Sequence, residues 1–243
     1  MNTSEPQKGH IHPTTAMIDE MTNIFTQMGF TVVDGPEMED EWHNFDALNV
    51  PQNHPARDMQ DTFYLRGGKL LRTHTSSVQI RYMEHNKPPF AIVSPGKVFR
   101  NEATDRTHEA QFFQFEALLI DKNISVANLR YYLETFLKKI FGDDTNIRLR
   151  PSFFPFVEPG FEVDMECGVC KGTGCPTCKH AGWIEILGAG LVHPNVLNAV
   201  GIDHREWSGL AFGVGVDRLV MMKTKLDDIR NLYTGDLRVT KQF

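Results

Sequence analysis

Only four of the 243 residues are cysteine, and all four fall between Cys167 and Cys178. A secreted disulfide fold spreads its cysteines along the chain, so this clustering speaks against one. A basic excess is missing too: net charge is −6 and the pI about 5.9. No basic stripe advertises nucleic acid, and any such contact falls to a local patch or a partner chain. Apolar runs are far too short to span a bilayer, and Met1–His10 is polar, without the hydrophobic segment of a signal peptide. These absences predict a cytoplasmic protein with no membrane association. Repeats, low-complexity segments and heptads are absent. What remains, 41% hydrophobic and 23% charged residues, suffices for one large core.

Residues 1–12 read as a flexible leader. Pro13 opens a helix whose Met17, Met21, Ile24, Phe25 and Met28 recur at helical spacing up to Gly29. Phe30–Val33 reads as a strand, and 37–61 as a loop with a short helix. Thr62–Leu65 and Lys69–Thr73 flank Gly67-Gly68 as a hairpin. Helices are expected at Ser76–Asn86, Ser125–Ile140, Pro194–Ala199 and Val216–Lys223. Strands are expected at Phe90–Val93, Gly96–Arg100, Gln111–Asp121, Arg148–Arg150, Phe161–Glu166, Trp183–Gly188 and Leu210–Val214. Because strands follow one another without intervening helices, the class is α+β with a mainly antiparallel sheet flanked by helices.

Two runs carry chemistry. Phe99-Arg100-Asn101-Glu102 and Gly213-Val214-Gly215-Val216-Asp217-Arg218 stand about 110 residues apart. Neither is a P-loop, and the second lacks the third glycine of a dinucleotide fingerprint. Arginine binds phosphate oxygens through its planar fork and stacks on bases. Arg100 and Glu102 share a strand face, as do Phe112, Gln114 and Glu116 on the returning strand. This face is too polar for ordinary core. Taken alone it also fits a solvated sheet face with cross-strand ion pairs, and the glycines also fit plain strand–helix packing.

Phe154 and Phe156, two apart, could clasp a third aromatic ring or simply belong to an aromatic core, since the chain has 17 Phe. Cys167-Gly-Val-Cys170 and Cys175-Pro-Thr-Cys178 have metal-ligand spacing, and four thiolates would close a Zn²⁺ site. The four-residue gap between the pairs is short, His180 could replace one cysteine, and a metal-free loop is the alternative.

These runs resemble the motifs of the catalytic domain of class II aminoacyl-tRNA synthetases, most closely the bacterial phenylalanyl alpha-subunit family. The helix and strand ending at Gly35-Pro36 resemble motif 1, Phe99–Glu116 motif 2, and Gly213–Arg218 motif 3. Further family-like runs are His54-Pro55-Ala56-Arg57-Asp58, Arg72-Thr73-His74-Thr75-Ser76, Arg150–Phe156 and Glu185-Ile186-Leu187-Gly188-Ala189-Gly190. The resemblance covers about residues 9–240.

It implies activation of phenylalanine by ATP with Mg²⁺ and transfer to tRNA(Phe), by a 13–243 catalytic domain with a cysteine-rich insert at 166–181. Arg100 would hold the α-phosphate and Glu102 the adenine amino group. Phe112 and Arg218 would sandwich the adenine, beside Gly213 and Gly215. Arg218 and His108 would reach the outer phosphates, and Glu185 would ligate Mg²⁺. His74, Ser76, Gln114 and Glu116 would hold the amino acid's polar end, although His74 alone also reads as a structural histidine. Phe154 and Phe156 would embrace its ring, with Ala211 at the para end. Thr73, Thr75 and Ser77 read as local backbone partners. The partner would be a beta subunit in an α2β2 assembly, and it would carry the editing that an apolar pocket needs against tyrosine. Relatives carry a long N-terminal coiled-coil arm; here it is expected to be truncated or naturally absent.

Three other readings compete. One is a class II enzyme for another amino acid, such as phosphoserine or pyrrolysine. A non-catalytic synthetase-like paralogue serving as a binding module is the second. The third is a zinc-dependent nucleic-acid adaptor.

Overall fold

The computed structural model describes residues 9–53 and 62–242. The run His54–Asp58 lies outside the described residues, as do residues 1–8 of the expected leader. Helix α1 (Pro13–Gln27) has proline in its first turn and His12 as N-cap, with Nδ1 accepting from the Thr14 amide. The other ring nitrogen of His12 lies 3.0 Å from the Leu232 carbonyl. His12, read from sequence as leader, is therefore a built part of the fold.

Among the described residues seven strands form one sheet: β1 (Thr31–Val32), β4 (Phe90–Phe99), β5 (Gln111–Asp121), β6 (Ile147–Phe154), β7 (Val157–Glu166), β8 (Trp183–Val192) and β9 (Ser208–Gly215). Their order is β1-β4-β5-β9-β8-β7-β6. Every pairing is antiparallel except β1–β4. Strands β2 (Met38–Asp40) and β3 (Lys69–Leu71) form a separate ribbon. Short helix α2 (Glu41–Asn44) follows β2, and α3 (Ser76–His85) follows β3. Then come α4 (Val126–Phe141), α5 (Pro194–Ala199), α6 (Val216–Thr224) and α7 (Leu237–Thr240). No helix among the described residues is long and apolar enough to cross a membrane.

The two faces of the sheet differ because side chains alternate. On one face Phe115, Ala117 and Leu119 of β5 join the core made by α1, α4 and α6. Phe25 sits at its centre, 5.2–5.6 Å from the rings of Phe30, Phe115, Phe136 and Phe212. On the other face Leu118 and Ile120 pack with Ile80 and Met83 of α3 and with Phe45 and Leu48. That second core covers only one end of its face. The other end carries Phe112, Gln114 and Glu116, so one strand serves both as core and as the floor of a site.

Several expected breaks are absent. The segments expected at 90–93 and 96–100 are one strand, although Pro95 and Gly96 interrupt the pattern. β1 pairs only with Ile92 and Val93, so at Pro95 the outer edge of β4 has no partner strand and proline's missing N–H is tolerated. The segments at 148–150 and 161–166 extend into the β6–β7 hairpin, which turns at Pro155-Phe156. β2 lies in a stretch expected to be loop and helix. Its Glu39 is fully buried and accepts from Arg81 Nε at 2.8 Å.

Candidate functional site

Register places the site residues before any side chain is considered. Ser94 pairs with Glu116, Glu116 with Gly213, Gly213 with Gly188, and Gly188 with Glu162. Gln114 lies between Gly96 and Gly215 in the adjoining row. Glycines thus surround the two polar side chains of β5 with bare backbone. A Cβ on Gly213 would stand 2.9 Å from Glu116 Cγ and 3.1 Å from Gln114 Nε2. One on Gly188 would stand 3.0 Å from the tip of Phe154.

Glu116 is buried and fully occupied. Oε1 accepts from the Thr75 amide (3.1 Å) and Gln114 Nε2 (3.0 Å); Oε2 accepts from Ser76 Oγ and from Gln79 Nε2 (2.9 Å). Burial pushes its carboxyl up to about 7, against the lowering by these donors and by Arg72. With four acceptor positions filled, Glu116 orients its neighbours rather than offering a free oxygen. The bond to Glu116 fixes which end of Gln114 is the amide nitrogen, and leaves Gln114 Oε1 buried without a partner. His74 Nδ1 is likewise buried and unpartnered. A structural histidine would have both ring nitrogens satisfied. Burial, assisted by the charge of Arg100, lowers His74 to about 3, so the ring is neutral and can accept.

The aromatic part adjoins this cradle. Phe154 and Phe156 stack at 6.1 Å and 24°, and the Phe156 ring lies 6.3 Å from His74. Both phenylalanines pack with the cluster that contains Ala211, which pairs with Leu118 and Gly190.

Arg100 leads away from the cradle. Its guanidinium lies 5.1 Å from the Phe112 ring centre, 3.9 Å from Glu102 and 3.5 Å from the Thr73 carbonyl. Burial lowers its pKa below the usual arginine value, but it stays charged. Arg218 donates from Nε (3.1 Å) and Nη2 (2.8 Å) to the Glu185 carbonyl. Asp217, the buried neighbour of Arg218, accepts from the Phe113 amide at 2.7 Å and from Thr14 at 3.3 Å. That joins α6, β5 and α1 behind the site.

Glu185 reaches the site face through a bulge. Val163 pairs with Leu187 but Asp164 with Glu185, so Ile186 is the extra residue. Without it Glu185 would share the core face of Leu187. Its carboxylate is 3.7 Å from Arg150, which also holds Glu162 at 2.8 Å and Asp164. His108 stands apart, in the exposed 100–110 loop, with Asp105 as its partner at 3.0 Å. That loop is tied to the C-terminal segment, because Arg106 donates to Asp227 and accepts from the Ile229 amide.

Two residues of the site had no role assigned from sequence, although Arg72 stands in one of the family-like runs. Gln79 is one of the donors to Glu116. Arg72 is wholly buried and donates to the carbonyls of Lys97 (2.8 Å) and Gly35 (2.9 Å). A polar residue three positions beyond Ser76, between Val78 and Ile80, was the available signal for Gln79. Thr73 Oγ1 accepts from the Asn44 side chain at 3.0 Å, and the expected local bonds fail at Thr75 and Ser77, whose hydroxyls are buried without a hydrogen-bond partner.

The four cysteine Sγ atoms lie within 4.8 Å of one another. The short gap between the pairs is therefore no obstacle, and His180 is not part of the cluster.

A Gly213→Ala substitution is expected to weaken the use of whatever ligand this cradle takes at least about tenfold in kcat/KM, because its Cβ displaces Glu116 and Gln114. Steady-state kinetics beside an unchanged circular dichroism spectrum would check it.

The family description "tRNA synthetases class II core domain (F)" matches residues 1–243. The chain is 54% identical over 237 residues to the phenylalanine–tRNA ligase alpha subunit of Leptospira biflexa, covering 98% of this chain and 70% of that one. It is 54% identical over 239 residues to the corresponding subunit of Bacillus cytotoxicus, with the same coverage. Among solved structures, the pyrrolysyl-tRNA synthetase of Desulfitobacterium hafniense aligns with TM-score 0.68 at 15% identity, covering 92% of this chain and 74% of that one. At that identity the likeness concerns the fold.

Proposed function

We propose that this chain, which belongs to the class II aminoacyl-tRNA synthetase core family and within it to the phenylalanine–tRNA ligase alpha subunits, activates L-phenylalanine with ATP and passes it to tRNA(Phe). The observation that carries this reading is the buried pair of unpartnered acceptors, Gln114 Oε1 and His74 Nδ1, beside the stacked Phe154 and Phe156. An ammonium group supplies the missing donors, and a benzyl side chain fills the aromatic slot. Such a pair also disfavours the non-catalytic paralogue, since it leaves buried polar atoms unsatisfied until a ligand arrives.

In this reading Gln114 and His74 accept from the substrate ammonium, and Ser76 and Glu116 hold that cradle in place. The carboxylate then faces Arg100 and attacks the α-phosphorus of ATP, releasing pyrophosphate. Arg100 stabilises charge developing on the α-phosphate. Glu102 accepts from the adenine amino group, and the base lies between Phe112 and Arg218, over Gly213 and Gly215. Arg218 extends to the γ-phosphate, and His108 reaches the outer phosphates once its loop folds inward. Glu185, a hard oxygen donor held on the site face with its side chain 58% exposed, fits a Mg²⁺ ligand. Magnesium neutralises polyphosphate charge when bound. Residues 13–243 act as one catalytic domain with a cysteine-rich insert at 166–181. The partners are a beta subunit in an α2β2 assembly and tRNA(Phe), in the cytoplasm.

Phenylalanine-dependent ATP–pyrophosphate exchange, with and without the beta subunit, tests the reading. Exchange with phenylalanine and far less with tyrosine supports it; a folded assembly with no exchange sinks it. Ala211→Gly is expected to admit para-halogenated phenylalanine, because Ala211 closes the slot at the end of the ring. Equal discrimination by variant and wild type would remove that assignment.

A further inference from the structure

We infer that the four cysteines bind a structural Zn²⁺ ion, and that this ion braces the strand end on which Arg218 rests. Three sulfur pairs, Cys167–Cys175, Cys170–Cys178 and Cys175–Cys178, are 3.7–3.8 Å apart. The remaining pairs lie within 4.8 Å, and a regular tetrahedron with edges of the shorter length has its corners about 2.3 Å from its centre, the Zn–S bond length, so a small closure of the others completes the site. Ordinary packing gives no reason for four sulfurs to meet this way. Amides already point at the sulfurs as they would at thiolates: Gly174 N to Cys170, and Cys175 N and Gly182 N to Cys178, each at 3.2 Å. With four protein ligands the site is closed, as structural zinc sites are.

Apart from backbone hydrogen bonds, the insert has little apolar packing to hold it. Between Cys167 and Ala181 only Cys167 and Cys178 are buried. Val169 is 70% exposed. Backbone at Lys171, Gly172, Gly174, Lys179 and His180 has positive φ. A segment so short of apolar contacts needs a cross-link to stay folded. Four thiols give up their protons as the metal binds, and the Zn–S bonds replace that missing core.

The insert continues the β7–β8 ladder. The Cys167 amide donates to the Gly182 carbonyl at 2.9 Å, next to the Glu166–Trp183 pair. Two pairs further, Asp164 faces Glu185, whose carbonyl receives both bonds from Arg218. From Gly182 to Glu185 is about 10 Å of strand. Trp183 lies within it, 4.6 Å beneath the Arg148 guanidinium, and Arg148 and Arg150 both bind Asp164. Loss of the metal frees the hairpin end and loosens the carbonyl that aims Arg218. The metal site stands on sulfur geometry alone; the bracing rests on the reading of Arg218 as an ATP contact.

The test uses the chain co-expressed with its beta partner in zinc-containing medium. Metal analysis is expected to return one zinc per alpha chain, surviving dialysis and released when a mercurial titrates four thiols. Cys175→Ser is expected to lose that zinc and to raise the KM for ATP about fivefold, leaving the KM for phenylalanine near wild type. Should the variant not fold, mercurial-treated wild type checked by circular dichroism takes its place. Iron in place of zinc, or no stoichiometric metal, overturns the site. Zinc bound in wild type but an unchanged ATP KM on its removal overturns the bracing. An assembly with zinc and no exchange at all would sink the synthetase reading while leaving the metal site standing.

Discussion

Replacing Arg100 with alanine is expected to cut phenylalanine-dependent pyrophosphate exchange by about 10²–10³-fold, with kcat falling more than the KM for either substrate rises. The side chain is weakly held: its carboxylate neighbour is 3.9 Å away, and its bond to the Thr73 carbonyl is long at 3.5 Å. Removing it therefore costs little fold stability. A guanidinium half-buried over Phe112 without a tight counter-ion has already lost part of its water, which favours an incoming phosphate. Arg100→Lys is expected to recover only part of the loss, because a lysine cannot offer two parallel donors or stack on the ring. Single-turnover formation of the adenylate measures the chemical step directly. An Arg100→Ala variant with unchanged kcat would move the α-phosphate contact to another residue.

The second large effect concerns Glu116. Its carboxyl titrates near 7 in the folded chain, against an ordinary value of 4.5. Between those limits the folded state holds a proton that the unfolded chain has released. Stability is therefore greatest below about pH 4.5 as far as this group is concerned, and it falls as pH rises through 7. The whole contribution is about 3 kcal/mol. Function runs the other way. If the substrate ammonium sits in this cradle as proposed, a charged Glu116 favours it, so the KM for phenylalanine is expected to fall as pH rises through 7. Glu116→Gln abolishes both trends and raises that KM about 10–100-fold at pH 8, since it turns an acceptor shared by four donors into a group with donors of its own. Denaturant melts and phenylalanine KM, each measured from pH 5.5 to 8.5, report the two halves separately. A wild-type KM that is flat over this range would show that Glu116 does not change charge there.

The fold was legible wherever the hydrophobic pattern obeyed a single period. The strand at 111–121 and the helix at 194–199 fall where alternation and spacing put them. It was illegible where tertiary context overrode a local signal. Met38-Glu39-Asp40 carries two acids and does not look like a strand, yet Glu39 is buried because Arg81, 42 residues away, satisfies it. Pro95 and Pro155 look like breaks; one sits where the sheet edge has no partner strand and the other in a two-residue turn. At the site, parity along β5 brought Phe112, Gln114 and Glu116 to one face, whereas Arg100 and Glu102, expected on a strand face, lie just beyond the end of β4 at Phe99. No period reveals that Glu116 is saturated by its neighbours while Gln114 and His74 keep free acceptors, since this depends on donors from α3 and from the Thr75 backbone. Arg72 stands in a family-like run but carried no role in the sequence for the same reason: its partners are carbonyls, which no sequence pattern displays.

The bare backbone under the cradle bears on how this pocket can change. Gly188 and Gly213 offer no side chain to vary, and adding one drives into Phe154 or into the Glu116–Gln114 pair. The underside is set by the twist of β8 and β9 and is nearly blind to mutation that preserves the fold. On the proposed reading of the pocket, new substrate preferences would be written from above and from the sides, at Phe154, Phe156, Ala211 and His74. Evolution and the protein engineer would then share the same short alphabet of positions.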